Sequence, residues 1–257
     1  MKKLSTLYRV VLLLLIAGFI SGIPTAAADS LDVDKIIKDV DEMYRSKSSY
    51  SEMEMEIVTP NWSRTLKMDA WSKGMDKTFI RILSPKKEEG VGTLRIDNEM
   101  WNYLPKTNKV VKIPPSMMMS SWMGSDFTND DLVKEFSLFE DYTYEHIYTD
   151  SLTDSLIFIE SIPREDLPVV WGSIVIVVQV DDYIPIREEY YDEENELMRI
   201  LYFSDVKDFD GRRIPSVMKM VPLDDEGHET LIRYLDLKFN IDIDKSIFSL
   251  RNLRDYK

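Results

Sequence analysis

From residue 49 onward the chain is built of short alternating runs, and this alternation limits it to a sheet-based fold. Met53, Met55 and Ile57 alternate with Glu52, Glu54 and Glu56, the period of a strand with one wet face and one covered face. Comparable runs cover residues 63–72, 77–83, 92–96, 99–103 and 109–113. They resume at 142–148, 156–162, 172–180, 184–191, 197–204, 214–222 and 230–239. Turn-forming stretches separate them, among them Asp192-Glu193-Glu194-Asn195, Asp208-Phe209-Asp210-Gly211 and Asp224-Asp225-Glu226-Gly227. Strands this short and this closely spaced predict an antiparallel meander. A dozen of them curl into a barrel or a strongly bent sheet.

Helical material is scarce, so the expected class is mainly β with a minor α component. Leu31, Ile36, Ile37, Val40, Met43 and Tyr44 recur at mostly three- and four-residue spacings and predict an N-terminal helix. Residues 129–136 predict a second one. Thr128 is placed to cap it, and Asp130 and Asp131 complement its N-terminal dipole. Between them lies the most unusual stretch of the chain, where four of the 14 methionines fall within residues 117–123 beside Trp122. A helix there would put Met118, Met119, Trp122 and Met123 on one face. Methionine is unbranched and polarisable, so such a face adapts to partners of variable shape. Bounded by Pro114-Pro115 and a Gly124-Ser125-Asp126 turn, it reads as a movable cover.

The first 28 residues have the form of a secretory leader. Lys2, Lys3 and Arg9 precede an apolar run from Val10 to Ile20 and the small residues Ala26-Ala27-Ala28. The run is too short to span a bilayer comfortably. Cleavage after Ala28 is expected, giving an exported protein with one domain over residues 29–257. The whole chain carries a net charge of −14, and the leader holds three of its 32 basic residues and none of its 46 acidic ones. The processed form would therefore stand at −17, which argues against nucleic acid and against anionic lipid surfaces as partners. The absence of cysteine excludes disulfides, thiol catalysis and thiolate metal sites.

No catalytic constellation stands out. The chain has no Gly-x-Ser-x-Gly, and its only histidines are His146 and His228, both read as structural. Asp126, Asn129, Asp130 and Asp131 lack the spacing and glycine of a calcium loop; helix capping accounts for them. Gly90-Val91-Gly92 is read as a tight turn. Acidic residues are so abundant that no carboxylate pair gains weight as a glycosidase dyad. Neither a cofactor nor a metal is expected. The first half combines Met53, Met55, Met68 and Met100 with Trp62, Trp71, Trp101, Tyr103 and Trp122. An ordinary packed core accounts for most of them, and the same mixture also suits the walls of an internal apolar cavity.

Four local segments resemble the LolA-like outer-membrane lipoprotein-sorting family of the LolA/LolB superfamily. They are Asp69-Ala70-Trp71-Ser72-Lys73, Leu94-Arg95-Ile96 with Met100-Trp101-Asn102-Tyr103-Leu104-Pro105, the run from Met123-Gly124-Ser125-Asp126-Phe127 to Leu132, and the run from Asn240 to Phe248. The resemblance implies an incomplete antiparallel β-barrel of about 10–12 strands with a short helical lid and an N-terminal helix. It also implies a monomeric, non-enzymatic periplasmic carrier. Such a carrier takes acyl chains of lipoproteins or lipids from an inner-membrane ABC or RND-type transporter towards the outer membrane. The residues expected to bind lipid are Met53, Met55, Met68, Trp71, Trp101, Tyr103, Met118, Met119, Trp122 and Met123. Gly124, Ser125, Asp126 and Phe127 are expected to form the lid hinge. The lipoprotein carrier's arginine after the aromatic–Lys pair has no counterpart, because Gly74 follows Lys73. Free lipid is therefore as much an expected cargo as lipoprotein. A binding or sensing module acting as accessory to a transporter is the alternative reading of the same fold.

Overall fold

The computed structural model describes residues 31–133, 137–149, 155–165 and 169–255. The leader expected over residues 1–28 lies outside them. Val33–Lys257 forms one compact unit, and among the described residues no helix is long and apolar enough to cross a membrane.

The N-terminal helix α1 spans Val33–Glu42 and buries Ile36, Ile37 and Val40. Six strands follow: β1 (Ser49–Val58), β2 (Ser63–Lys73), β3 (Lys77–Ser84), β4 (Gly92–Ile96), β5 (Glu99–Leu104) and β6 (Lys109–Lys112). A 3₁₀ turn at Pro115–Met117 leads to helices α2 (Asn129–Val133) and α3 (Leu138–Asp141). Seven more strands complete the sheet: β7 (Tyr142–Thr149), β8 (Leu156–Pro163), β9 (Ser173–Gln179), β10 (Pro185–Tyr191), β11 (Leu197–Phe209), β12 (Arg212–Pro222) and β13 (Glu229–Phe239). Helix α4 (Leu250–Asp255) ends the described chain.

All thirteen strands belong to one antiparallel sheet, ordered β6-β5-β4-β3-β2-β1-β13-β12-β11-β10-β9-β8-β7. Two meanders, β1–β6 and β7–β13, are thus joined through the β1–β13 pair, in which Met55 faces Ile232 and Ile57 faces Thr230. The barrel stays open, because β6 and β7 end the sheet without pairing to each other. This is the incomplete antiparallel barrel expected from the sequence, with thirteen strands in place of 10–12.

Register and two-residue periodicity assign the faces. On the concave side lie Met53 and Met55 of β1, opposite Met68 and Leu66 of β2. On the convex side, cross-strand pairing lines up Tyr50, Trp71, Phe79, Leu94 and Trp101 across β1 to β5. Helix α4 covers that row by packing Leu253, with Phe248 just before it, against Phe79 and Leu94. The Arg81 guanidinium fixes the helix by donating to the Leu253 carbonyl at 2.6 Å. Gly92 is required beneath it, since a Cβ there would stand 2.9 Å from Leu253 Cδ1 and 3.1 Å from Arg81 Cζ.

The methionine segment differs from expectation. No helix carries Met118, Met119, Trp122 and Met123 on a shared face. Only the 3₁₀ turn at Pro115–Met117 forms, and a loop closed by a Ser121–Thr128 bridge follows. Its tip takes left-handed backbone angles at Met123 (φ 55°) and Gly124 (φ 75°), which no α-helix contains. The predicted helix after Thr128 does form, over Asn129–Val133. The Asp131 N–H donates to Thr128 Oγ1 at 3.1 Å, and the Thr128 N–H donates to Asp131 Oδ2 at 2.8 Å. This is a reciprocal capping box, and it accounts for Asp131 among the residues that superficially mimic a calcium loop.

Candidate cavity on the concave face

The segment spanning residues 113–133 crosses the concave face, where its Trp122, Phe127, Asp130, Asp131 and Leu132 border a half-open cavity of about 530 Å³. Its sheet wall is rich in methionine. Met68, Met55, Met53, Met220 and Met218 project from β2, β1 and β12, where Met218 faces Ile232 and Met220 faces Thr230 of β13. Trp122, Phe127 and Leu132 supply the opposite wall from the covering segment.

Four anchors hold that segment down, on strands from both meanders. The Trp122 indole is buried and donates from Nε1 to Thr93 Oγ1 of β4 at 3.1 Å. Arg64 of β2 pairs with Glu88 at 3.1 Å and donates to the Met123 carbonyl. Thr230 of β13 donates to Asp126 Oδ2 at 2.6 Å and accepts from the Asp126 N–H at 3.0 Å. Burial pushes the Asp126 carboxyl above the usual aspartate range, an effect partly offset by the Thr230 hydrogen bond and the nearby His228. The fourth anchor is a bidentate ion pair, in which Arg199 of β11 donates to both Asp131 oxygens at 2.9 and 2.8 Å.

The Arg199 end of the cavity is polar. The Arg199 guanidinium lies 4.4 Å from the Trp171 ring centroid and 4.6 Å from that of Tyr190, a desolvated cation–π arrangement. Tyr190 donates to the buried Glu188 carboxylate at 2.6 Å. Burial raises the Glu188 carboxyl above the ordinary glutamate value, against the opposing pull of the Tyr190 hydrogen bond and Arg199. For Asp131, burial alone would also raise the carboxyl, yet the hydrogen bonds and charge of Arg199 outweigh it and hold the group low. Opposed environments of this kind keep one carboxylate ionised and favour the neutral form of the other.

The residues singled out by sequence divide among three places. Met53, Met55, Met68 and Trp122 border the cavity, as does Phe127. Trp71 touches its rim, but its ring packs with Tyr50 and Phe79 at centroid distances of 5.3 and 5.5 Å on the convex side. Trp101 and Tyr103 are away from the cavity, packed with the Phe79–Leu94 cluster next to α4. Met118 and Met123 are half-buried against the core around Met55, Ile82 and Trp122, and Met119 is exposed. In the segment expected to be a hinge, Gly124 forms the left-handed tip. Ser125 is buried, with its hydroxyl donating to the Trp122 carbonyl at 2.7 Å. Asp126 carries the Thr230 anchor.

Sequence reasoning missed Arg199, Glu188 and Tyr190. A signal for the first was present, since Arg199 shares strand parity with Leu201 and Phe203, and all three border the cavity. Among the described residues no group of three or more His, Cys, Asp or Glu side chains is arranged to hold a metal.

A family model described as "Uncharacterized protein" matches residues 74–255. No curated protein matches the chain. Among solved structures, a DUF1329 family protein from Desulfovibrio piger superposes with a TM-score of 0.76 at 24% identity, covering 86% of this chain and 97% of that one. A domain described as an outer membrane lipoprotein-sorting protein, from Vibrio parahaemolyticus, gives 0.72 at 24% identity, with the same 86% and 97% coverage. A LolA superfamily protein from Nitrosomonas europaea gives 0.70 at 18% identity, covering 84% and 97%. The chain therefore belongs to the family whose model spans residues 74–255, and its fold is that of the LolA-like lipoprotein-sorting proteins.

Proposed function

We propose that this protein is a carrier that holds an acyl chain of a lipid or lipoprotein beneath the covering segment and leaves it chemically unchanged. The observation that carries the reading is the cavity of about 530 Å³ between the methionine-rich sheet wall and the Trp122–Phe127–Leu132 cover. Five methionines on β2, β1 and β12 give a wall that can repack around chains of different length and branching. Burying a methylene is worth about 0.8 kcal/mol, so a dozen methylenes offer on the order of 10 kcal/mol before ordering costs. Such a ligand stays bound until the cover moves. Solved structures of this fold include one described as a lipoprotein-sorting domain, which supports the same class of cargo. With the leader expected at the N-terminus, the carrier works in the periplasm, loaded by an inner-membrane transporter and unloading towards the outer membrane.

Mass spectrometry of solvent extracts from the purified protein tests this reading. Phospholipid or acylated peptide should be recovered in stoichiometric amount, and replacing Met53 and Met55 with serine should deplete it. Lipid-free extracts, together with failure to bind a fluorescent fatty acid, would instead mark a sensing module that uses the fold without cargo.

A further inference from the structure

Charge is unevenly distributed over this acidic chain. Residues 61–112 hold eleven basic and six acidic side chains, although the whole molecule stands at −14. One edge of the sheet shares this bias, since residues 100–125 contain three lysines and no acidic residue. Within that stretch lie the edge strand β6 and the start of the covering segment. The β5–β6 turn and β6 expose Leu104, Val110 and Val111, and the covering segment exposes Met117 and Met119. Lys106 and Lys109 are exposed in the same hairpin as Leu104, Val110 and Val111, and among the described residues neither is paired with a carboxylate. Lys112 reaches back to Glu99 on β5.

From this edge we infer a docking surface for a lipid bilayer carrying anionic headgroups. The charge is complementary to such a bilayer and opposed to that of the rest of the protein, which therefore orients itself with β6 towards it. The chemistry of the edge favours lipid over a protein partner. Lysine is depleted at protein interfaces, where arginine and exposed aromatic anchors lead. Here the basic residues are all lysines, and the two nearby aromatics, Trp101 and Tyr103, are half-buried next to α4. A lysine lays its aliphatic stem on apolar surroundings while its ammonium reaches the headgroups. Small apolar protrusions among such lysines are the composition of an interfacial anchor. The inference concerns the outer edge alone and stands whether or not the cavity holds lipid.

The test is co-sedimentation of the soluble exported protein with vesicles of phosphatidylcholine alone or mixed with phosphatidylglycerol. Binding is expected only to the mixed vesicles and should weaken steeply with salt. Each lysine near an anionic surface contributes about fivefold, so Lys106→Glu with Lys109→Glu should reduce partitioning by about 25-fold or more. Met117→Ser with Met119→Ser should reduce it at constant salt dependence. Both pairs lie on the surface, and an unchanged thermal transition verifies their folding. The salt titration of the parent protein provides the same readout without substitution. Absence of binding to anionic vesicles, or binding indifferent to salt and to the lysines, overturns the inference. So does a partner protein whose capture, and not vesicle binding, depends on Lys106 and Lys109.

Discussion

At the scale of single residues, the polar end of the cavity sets two carboxylates against each other. Asp131 is held ionised by Arg199, so its contribution to stability is present above the ordinary aspartate value of 3.8 and is lost as pH falls through the lower folded value. Glu188 behaves in the opposite sense. Its folded value is raised above 4.5, so its contribution is complete below that pH and is lost as pH rises through the folded value. Replacing Glu188 with glutamine keeps an acceptor for the Tyr190 hydroxyl and removes the ionisation. The expected outcome is that, between pH 4.5 and pH 7, the protein loses stability that Glu188→Gln retains in greater part. Urea denaturation of both proteins at the two pH values measures this, and parallel losses would refute it. Arg199 was legible as a concave-face residue from strand parity alone. Its partner was not, because Asp131 lies 68 positions away and carries a local role, capping α2, that fully accounts for it in the sequence.

At the scale of elements, the covering segment shows how a helical spacing misleads. Met118, Met119, Trp122 and Met123 have the spacing of one helix face, but four residues are too few to separate a helix from a loop that buries one aromatic. The loop is favoured by contacts that sequence does not display. The Ser125 hydroxyl takes up the Trp122 carbonyl, and the Met123–Gly124 tip turns the chain so that Asp126 meets Thr230. Replacing the fully buried Thr230 with valine keeps the shape and leaves both the Asp126 N–H and its carboxylate without that partner. Unsatisfied groups of this kind cost about 1–3 kcal/mol. The predicted result is a loss of that size in urea denaturation. Hydrogen exchange should accelerate at the amides of residues 122–129 more than at those of β8 and β9. Uniform acceleration across the sheet would show that Thr230 supports the barrel in general and is not an anchor of the cover. The same limitation hid the convex face. Trp101 and Tyr103 share composition with the cavity wall, and only the position of α4, which the sequence pattern did not reveal, sends them to the other side.

At the scale of the whole molecule, alternation and turns were enough to locate the strands, because each strand carries its own period and its own stops. Their order was only half legible. Neighbours within each meander follow from short connections, whereas the β1–β13 pair joins the two ends of the strand series and leaves the gap between β6 and β7. That gap decides the architecture. The segment between β6 and β7 has no strand to pair with, so it turns inward over the concave face and ties the two meanders together through Thr93, Arg64, Thr230 and Arg199. On the proposed carrier function, a chain held beneath the cover exchanges only when the ties on one side are released. The absence of cysteine makes this directly testable, since an introduced pair can bond only to itself. The Thr230 hydroxyl meets both the N–H and the carboxylate of Asp126, which makes this contact the place to introduce a cysteine pair, with bond formation verified by mass. In the oxidised Asp126→Cys, Thr230→Cys protein, uptake of a fluorescent fatty acid should be slowed at least about tenfold relative to the reduced form. Adding dithiothreitol should restore it, and the parent protein should respond to neither treatment. Equal uptake in the oxidised and reduced states, with the disulfide verified by mass, would mean that cargo enters through the open β6–β7 side while the cover stays in place.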